Sequence, residues 1–335
     1  MTKTKTKTDG WPRRAAALLG MAAVALQLAA GAMTASAQAA WPSKPIRWVV
    51  PYTPGGGTDQ SSRIIAEKLS VALGQPIVID NRPGGNTVIG AAAAASAAPD
   101  GYTVFFAALS TMAVIPNLYD KLPYASDALT PVTQLVHFPL FLMVEAGGPL
   151  DTMPKFLAAA RSQPLLFAIG GSGSGGHLGS ELMKRQLKAD MTAVPFKAMV
   201  QAAPEVATGR VSFMFADLPA ALPHVQGGRA KIIATAGKTR SALYPEAPTL
   251  AEAGVGEIDF DTWAGLAVPK GTPQPIVDRL ALELNKVIAD PAVRAKLALI
   301  GVEPAPSSQA RFTEFIASEN AKWRAVIQAA GIKLE

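Results

Sequence analysis

No cysteine occurs in the 335 residues. That absence excludes disulfides, thiolate metal ligands, a catalytic thiol and the residue on which a bacterial lipoprotein is acylated. Histidine is almost as scarce. His137, His177 and His224 are the only three, scattered without the short spacing that gathers ligands around zinc, so no metal is expected. A phosphate loop of the G-x-x-x-x-G-K-[ST] kind and a G-x-S-x-G nucleophile elbow are both missing. Ser172 and Ser174 have no sequence-evident base to activate them, and Asp259 with Asp261 reads as a solvated bend more than a catalytic pair. Hydrolase and phosphoryl-transfer machinery is therefore not visible.

What is present begins with a leader. Lys3, Lys5, Lys7, Arg13 and Arg14 precede an apolar run from Ala15 to Leu26 that continues past Gln27 to Ala32. Small residues follow, and Ala35-Ser36-Ala37 and Ala37-Gln38-Ala39 both offer the A-x-A spacing of a signal-peptidase site. Residues 1–37 are expected to be a cleaved signal peptide, with the mature chain starting near Gln38 or Ala40, in the periplasm. The five cations of that stretch, less Asp9, account for +4 of the net +6, leaving +2 on the remainder. A nucleic-acid partner is not expected on so small a charge. About 300 mature residues exceed the usual size of one domain, which makes two lobes the default.

Along the mature chain, the β-branched run Pro45 to Val50 breaks into a glycine loop, Gly55-Gly56-Gly57-Thr58-Asp59, and then a helical pattern, Ile64, Ile65, Leu69 and Leu73, ending at Gly74. Pro76 to Asp80 and Tyr102 to Ala107 read as further strands flanking a turn-rich loop (Asn81 to Gly90) and a helix (Ala91 to Ala98). Such alternation predicts a parallel sheet covered by helices. The grammar restarts with a strand at Leu165 to Ile169, a Gly/Ser loop, a helix at Leu178 to Leu187, and strands at Thr192 to Phe196 and Val211 to Phe215. A second α/β lobe follows. Leu135 to Val144 and Trp263 to Val268 are apolar stretches not followed at once by helices, hence candidate crossover strands. The helices Ile276 to Ile288, one opening at Asp290-Pro291, and Gln309 to Ala329 are expected to pack back on the first lobe.

The Gly55 to Asp59 loop frees backbone N–H groups to converge on an anion at a helix N-terminus, or forms a tight turn capped by Thr58 or Asp59. Gly171, Gly173 and Gly176 match G-x-G-x-x-G, which keeps a dinucleotide-dependent enzyme in view as the rival. The acidic residue wanted at the end of the next strand is replaced by Phe196-Lys197. His177, opening a helix after that loop, could donate to a ligand or serve as a capping or solvated side chain.

Several motifs in order carry a family resemblance: Trp41-Pro42-Ser43-Lys44-Pro45-Ile46-Arg47, the Pro51 to Asp59 loop, Asn81-Arg82-Pro83-Gly84, Ala98-Pro99-Asp100-Gly101-Tyr102-Thr103, Val194-Pro195-Phe196-Lys197, Asp217-Leu218-Pro219-Ala220-Ala221-Leu222-Pro223-His224 and Pro248-Thr249-Leu250-Ala251-Glu252-Ala253-Gly254. Together they resemble the substrate-binding receptors of tripartite tricarboxylate transporters, the Bug proteins. The resemblance implies an α/β, type II periplasmic-binding-protein fold in which two α/β lobes, joined by crossover strands, hold a ligand in the cleft between them. Lobe 1 is expected over 41–140 and 264–335, and lobe 2 over 141–263.

By the same resemblance the loops Tyr52 to Asp59, Ala107 to Thr111 and Ile169 to His177 face the ligand. Tyr52, Thr53, Gly56, Gly57 and Thr58 would serve from one side, with Ser110, Thr111, Gly173, Ser174 and His177 as further candidates. Asp59 and Asp217 are expected to organise loops or meet a hydroxyl, amine or amide. The expected ligand is a small organic acid (a di- or tricarboxylate, amino acid or aromatic acid) or a related polar metabolite. No cofactor is expected, the partners are the membrane permease subunits, and the receptor is expected to be a monomer. A sensor presenting ligand to a signalling partner is the alternative among binding proteins. Three departures stand out. Ile169, Gly170, Ser172, Gly175 and Gly176 replace Ser, Ser, Asn, Ser and Ser in the second-lobe loop; the loop after Pro83 reads Gly-Gly-Asn-Thr-Val-Ile-Gly; and Phe196-Lys197-Ala198 replaces Tyr-Lys-Gly.

Overall fold

The computed structural model describes Thr2 and residues 41–331, positions 172 and 259 excepted. The leader other than Thr2, Ser172 and Asp259 thus lie outside the described residues. Residues 44–335 form one unit, distinct from 1–43, and the fold below is that of the larger unit.

The first half runs β1 (Ile46–Val50), α1 (Gly57–Leu73), β2 (Ile77–Asn81), α2 (Val88–Ala95), β3 (Thr103–Ala108), a short α3 (Ile115–Leu118) and β4 (Leu129–Phe138). Next come β5 (Phe141–Glu145), α4 (Met153–Ser162), β6 (Leu165–Ile169), α5 (Gly175–Leu187), β7 (Met191–Pro195), α6 (Met199–Ala207), β8 (Phe213–Ala216), α7 (Leu218–Gln226) and β9 (Ala230–Thr235). The chain ends through β10 (Thr262–Pro269), α8 (Gln274–Ala289), α9 (Pro291–Leu299), β11 (Glu303–Pro304) and α10 (Gln309–Ala330). Helix α1 shows how sequence makes these elements. Ile65, Leu69 and Leu73 recur every four residues on its buried face, and Gly74 ends it in the left-handed conformation, φ 69°.

Two sheets result. The first has the order β11-β4-β10-β3-β1-β2 and the second β7-β6-β8-β5-β9. Strands β1, β2 and β3 pair in parallel, as do β6, β7 and β8, which is the arrangement the β-α-β alternation predicts. The sheets as wholes are mixed. β10 runs antiparallel to β3 and β4, and β5 runs antiparallel to β8 and β9. The reason is geometric: a strand arriving from the other sheet enters at the carboxyl ends of the parallel strands and must run against them. Ala264 of β10 pairs with Ala108 at the end of β3, and Phe141 of β5 pairs with Ala216 at the end of β8. The two apolar stretches marked as crossovers are where the chain passes between sheets, from β4 to β5 through Pro139-Leu140 and into β10.

Helices α3, α4, α6 and α7 and strands β9 and β11 are additional to the elements read from sequence. Pro204 lies inside α6, and Pro219 and Pro223 lie in α7, so both segments read as broken. Pro219 is tolerated because the first turn needs no intrahelical N–H donor, and Asp217 caps that turn by accepting the Ala220 N–H at 3.0 Å.

The core holds Trp48, Trp263 and Trp323 with no more than 2% exposure. Trp263 Nε1 and Trp323 Nε1 both donate to Glu319 Oε2, at 3.0 and 3.1 Å, and Lys322 pairs with the same carboxylate. Helix α10 is thereby fixed to β10. It packs on β4, α3 and the turn before α3, and also on α5 of the second lobe.

Candidate ligand-binding site

In open α/β sheets, ligands bind beyond the carboxyl ends of the strands, where loops and helix N-termini converge. A cavity of about 260 Å³ lies there. Tyr52 enters it just after β1, Ser110 just after β3, Gly170 just after β6 and Asp217 directly after β8. The crossing segments close it from behind through Phe138, Leu140, Thr262 and Trp263. Both sheets thus contribute the ends of parallel strands.

The wall belonging to the first sheet is polar and uncharged. Gly57 and Thr58 line the cavity at the start of α1, ahead of that helix's first backbone bond, from the Gln60 N–H to the Gly56 carbonyl at 2.9 Å. The leading amides of a 17-residue helix therefore point toward the cavity end of the loop, with the positive end of its dipole. Tyr52 Oη and Ser110 Oγ are hydrogen-bonded at 2.8 Å, and burial pushes the Tyr52 hydroxyl above its ordinary range against that bond. Asn86 and Thr87 also line the cavity. Both have left-handed backbones, φ 55° and 79°, and Thr87 Oγ1 is held at 2.7 Å by Thr111 Oγ1.

Asp59 is buried behind this wall. Its Oδ2 accepts the Gly55 N–H at 2.9 Å and Arg63 Nε at 3.0 Å, while Oδ1 accepts Asn81 Nδ2 at 3.0 Å. The same Asn81 amide donates to the Tyr52 carbonyl at 3.1 Å. Burial pushes the Asp59 carboxyl up, but the bonds from Arg63, Gly55 and Asn81 outweigh it and hold the group below the usual carboxylate range. This network fixes the glycine loop.

The wall belonging to the second sheet differs in kind. Gly170, Gly171, Ser174, Gly175, Met199 and Asp217 line it. Ser174 caps α5, its Oγ accepting the His177 N–H at 3.3 Å. His177 turns inward, away from the cavity: its Nδ1 accepts the Gly173 N–H at 3.0 Å and its ring lies 6.4 Å from Phe167. Burial lowers its pKa, in keeping with a neutral ring that accepts at Nδ1. Asp217 is the single charged side chain among the described residues of the lining, and burial pushes its carboxyl upward against the opposing bond from Ala220.

Of the residues expected from sequence, Tyr52, Gly57, Thr58, Ser110, Ser174 and Asp217 come together on the lining. Thr53 and Gly56 are exposed on the loop, whereas Asp59, Thr111, Gly173 and His177 stand behind it in the bonds just given. Asn86, Thr87, Phe106, Phe138, Leu140, Met199, Thr262 and Trp263 were not anticipated. Gly85-Asn86-Thr87 carried a turn signal, whereas the apolar members read as ordinary core. A wider groove of about 1010 Å³ runs along β4 and α10, past His137, Arg311 and Glu314. It lies at the β11 edge of the first sheet, outside the convergence of the loops after β1, β3, β6 and β8, so the smaller cavity is the site. No cluster of three or more metal-ligating side chains occurs among the described residues, and no described helix is long and apolar enough to cross a membrane.

Two α/β lobes with a cavity at the facing strand ends, joined by crossing strands, define a type II solute-binding protein. The sequence pattern described as "Tripartite tricarboxylate transporter family receptor" matches residues 61–332, and the chain belongs to that family. A protein from the tcbD-tcbE intergenic region of Pseudomonas sp. (strain P51) is 34% identical over 312 residues, 92% of each chain. Among solved structures, R. palustris Rpa4515 with adipate superposes with a TM-score of 0.80 at 33% identity, covering 88% of this chain and 99% of that one. MatC from Rhodopseudomonas palustris with bound malate gives 0.75 at 31% identity, covering 86% and 100%.

Proposed function

We propose that this chain is a periplasmic receptor that captures a small carboxylate-bearing metabolite and delivers it to the membrane subunits of a tripartite tricarboxylate-type transporter, without acting on it chemically. The observation that carries the reading is the cavity wall at the head of α1. Oriented amides, Thr58, Ser110, Asn86 and Thr87 converge there, a donor set that suits a carboxylate without a Lys or Arg partner. Family membership and relatives solved with adipate and malate support it. In this reading residues 1–37 are the export leader, lobe 1 spans 41–140 and 264–335, and lobe 2 spans 141–263. Tyr52, Gly57, Thr58, Ser110, Ser174 and Asp217 meet the ligand, while Asp59, Thr111, Gly173 and His177 hold the loops.

Thr58→Ala and Ser174→Ala test the placement of the cleft. A lost hydrogen bond to a charged group is worth about 1.5 to 3 kcal/mol, so each variant should bind at least about tenfold more weakly, with unchanged circular dichroism. Calorimetry on protein refolded to strip carried-over ligand reads this directly. Unchanged affinity in both variants would place the ligand elsewhere.

A further inference from the structure

We infer that the cavity selects a monocarboxylic acid with a compact apolar body, in preference to a di- or tricarboxylate. The inference rests on the carboxylate-receptor reading and deepens it, because the two walls are chemically unlike. All of the polar side chains just assigned to a carboxylate, apart from Ser174, belong to the first-sheet wall. Among the described residues the opposite wall offers a second anion no side-chain cation, and it carries the Asp217 carboxylate. A second anion beside the Asp217 carboxylate would meet like charge in a partly desolvated cavity. Ser174 and the leading amides of α5 remain as donors on this side, so the discrimination rests on Asp217 and on the side-chain hydroxyls that Gly170 and Gly175 lack.

The absence of side-chain hydroxyls at Gly170 and Gly175 is built into the backbone. A Cβ at Gly170 would stand 2.6 Å from the Met199 backbone nitrogen, and one at Gly175 would stand 2.3 Å from Thr262 Cγ2. A serine at Gly170 would therefore need the backbone to shift, and one at Gly175 would need Thr262 to move. Between the walls the cavity is bounded by Phe106, Leu109, Phe138, Leu140, Met199 and Trp263. Its volume of about 260 Å³ compares with roughly 150 Å³ for a protein cavity that holds benzene. A six-carbon ring or chain plus one carboxylate fits that space, with the acid at α1 and the apolar end against Leu140 and Met199.

Matched pairs of acids test this: benzoate against terephthalate, and hexanoate against adipate, titrated calorimetrically into stripped protein near neutral pH. Each monoacid should bind at least about tenfold more tightly than its diacid, since a like-charge contact is strongly disfavoured. Asp217→Asn keeps a capping side chain, and should narrow the gap by raising diacid affinity relative to that of the matched monoacid. Diacids that bind more tightly than their partners, or a gap unmoved by Asp217→Asn, would overturn the inference while leaving a carboxylate receptor in place. Failure of every acid, single or double, would overturn both readings.

Discussion

Asp59→Asn probes how the glycine loop is held, because it keeps the volume of a buried side chain and removes its charge. An amide accepts through one oxygen only. Turned one way, its NH₂ faces the Gly55 N–H and Arg63 Nε; turned the other, it faces Asn81 Nδ2, in the places now served by Oδ2 and Oδ1. The Arg63 side chain is 54% exposed, so water replaces much of what it loses. What remains is about one bond to a charged group, roughly 1.5 to 3 kcal/mol. Urea denaturation followed by circular dichroism should show a lower midpoint with an unchanged slope, and ligand affinity should fall as the amides at the head of α1 lose their fixed direction. The pH dependence has a definite sign. Because the folded-state pKa of Asp59 is depressed, its contribution is present above the unfolded value, about 3.9, and is lost as pH falls through the folded one. The gap between parent and variant should therefore shrink in acid. Equal stability at neutral pH, or a gap that stays constant into strong acid, would refute the assigned network.

Two further outcomes follow from the packing around the cleft. Phe312 is fully buried on α10 and meets Trp263 edge-on at 5.6 Å, so Phe312→Ala should cost about 3 to 5 kcal/mol in chemical denaturation and loosen the rear wall of the cavity. His177 has a folded-state pKa lowered by burial. Its stabilising contribution is present above the unfolded value of about 6.5 and is lost as pH falls toward and through the folded one, when Nδ1 no longer accepts the Gly173 N–H. Hydrogen exchange in the 170–177 loop should accelerate on acidification, and His177→Gln should remove that component of the pH response.

Much of the architecture was legible because periodicity and punctuation agreed. The run Leu165 to Ile169 is a strand with the bounds read from sequence, α1 starts ahead of its apolar pattern at Gly57, and α10 runs one residue past its expected end. What stayed hidden depends on neighbours distant in sequence. Nothing in Trp263 to Val268 says that β10 runs against β3; that follows from where the chain enters the sheet. Prolines at 204, 219 and 223 masked α6 and α7, because a missing N–H is tolerable at a first turn or on a short helix already anchored by packing. The site divides in the same way. Thr58 and Ser174 announce themselves beside glycines at helix starts, whereas Leu140 and Met199 are apolar residues like any in the core, and only the fold brings them to a cavity surface.

The crossing strands that close the cavity also join the lobes, so a bound molecule would touch the pivot itself. Trp263 stands on one of these crossing strands, with its indole nitrogen tied to Glu319, and is among the residues lining the cavity. It is the one tryptophan among the lining residues. Occupancy and lobe rotation would both change the surroundings of this ring, giving the receptor an intrinsic fluorophore at its mechanical centre. Emission from Trp263 would report filling of the cleft and its closure with no label attached.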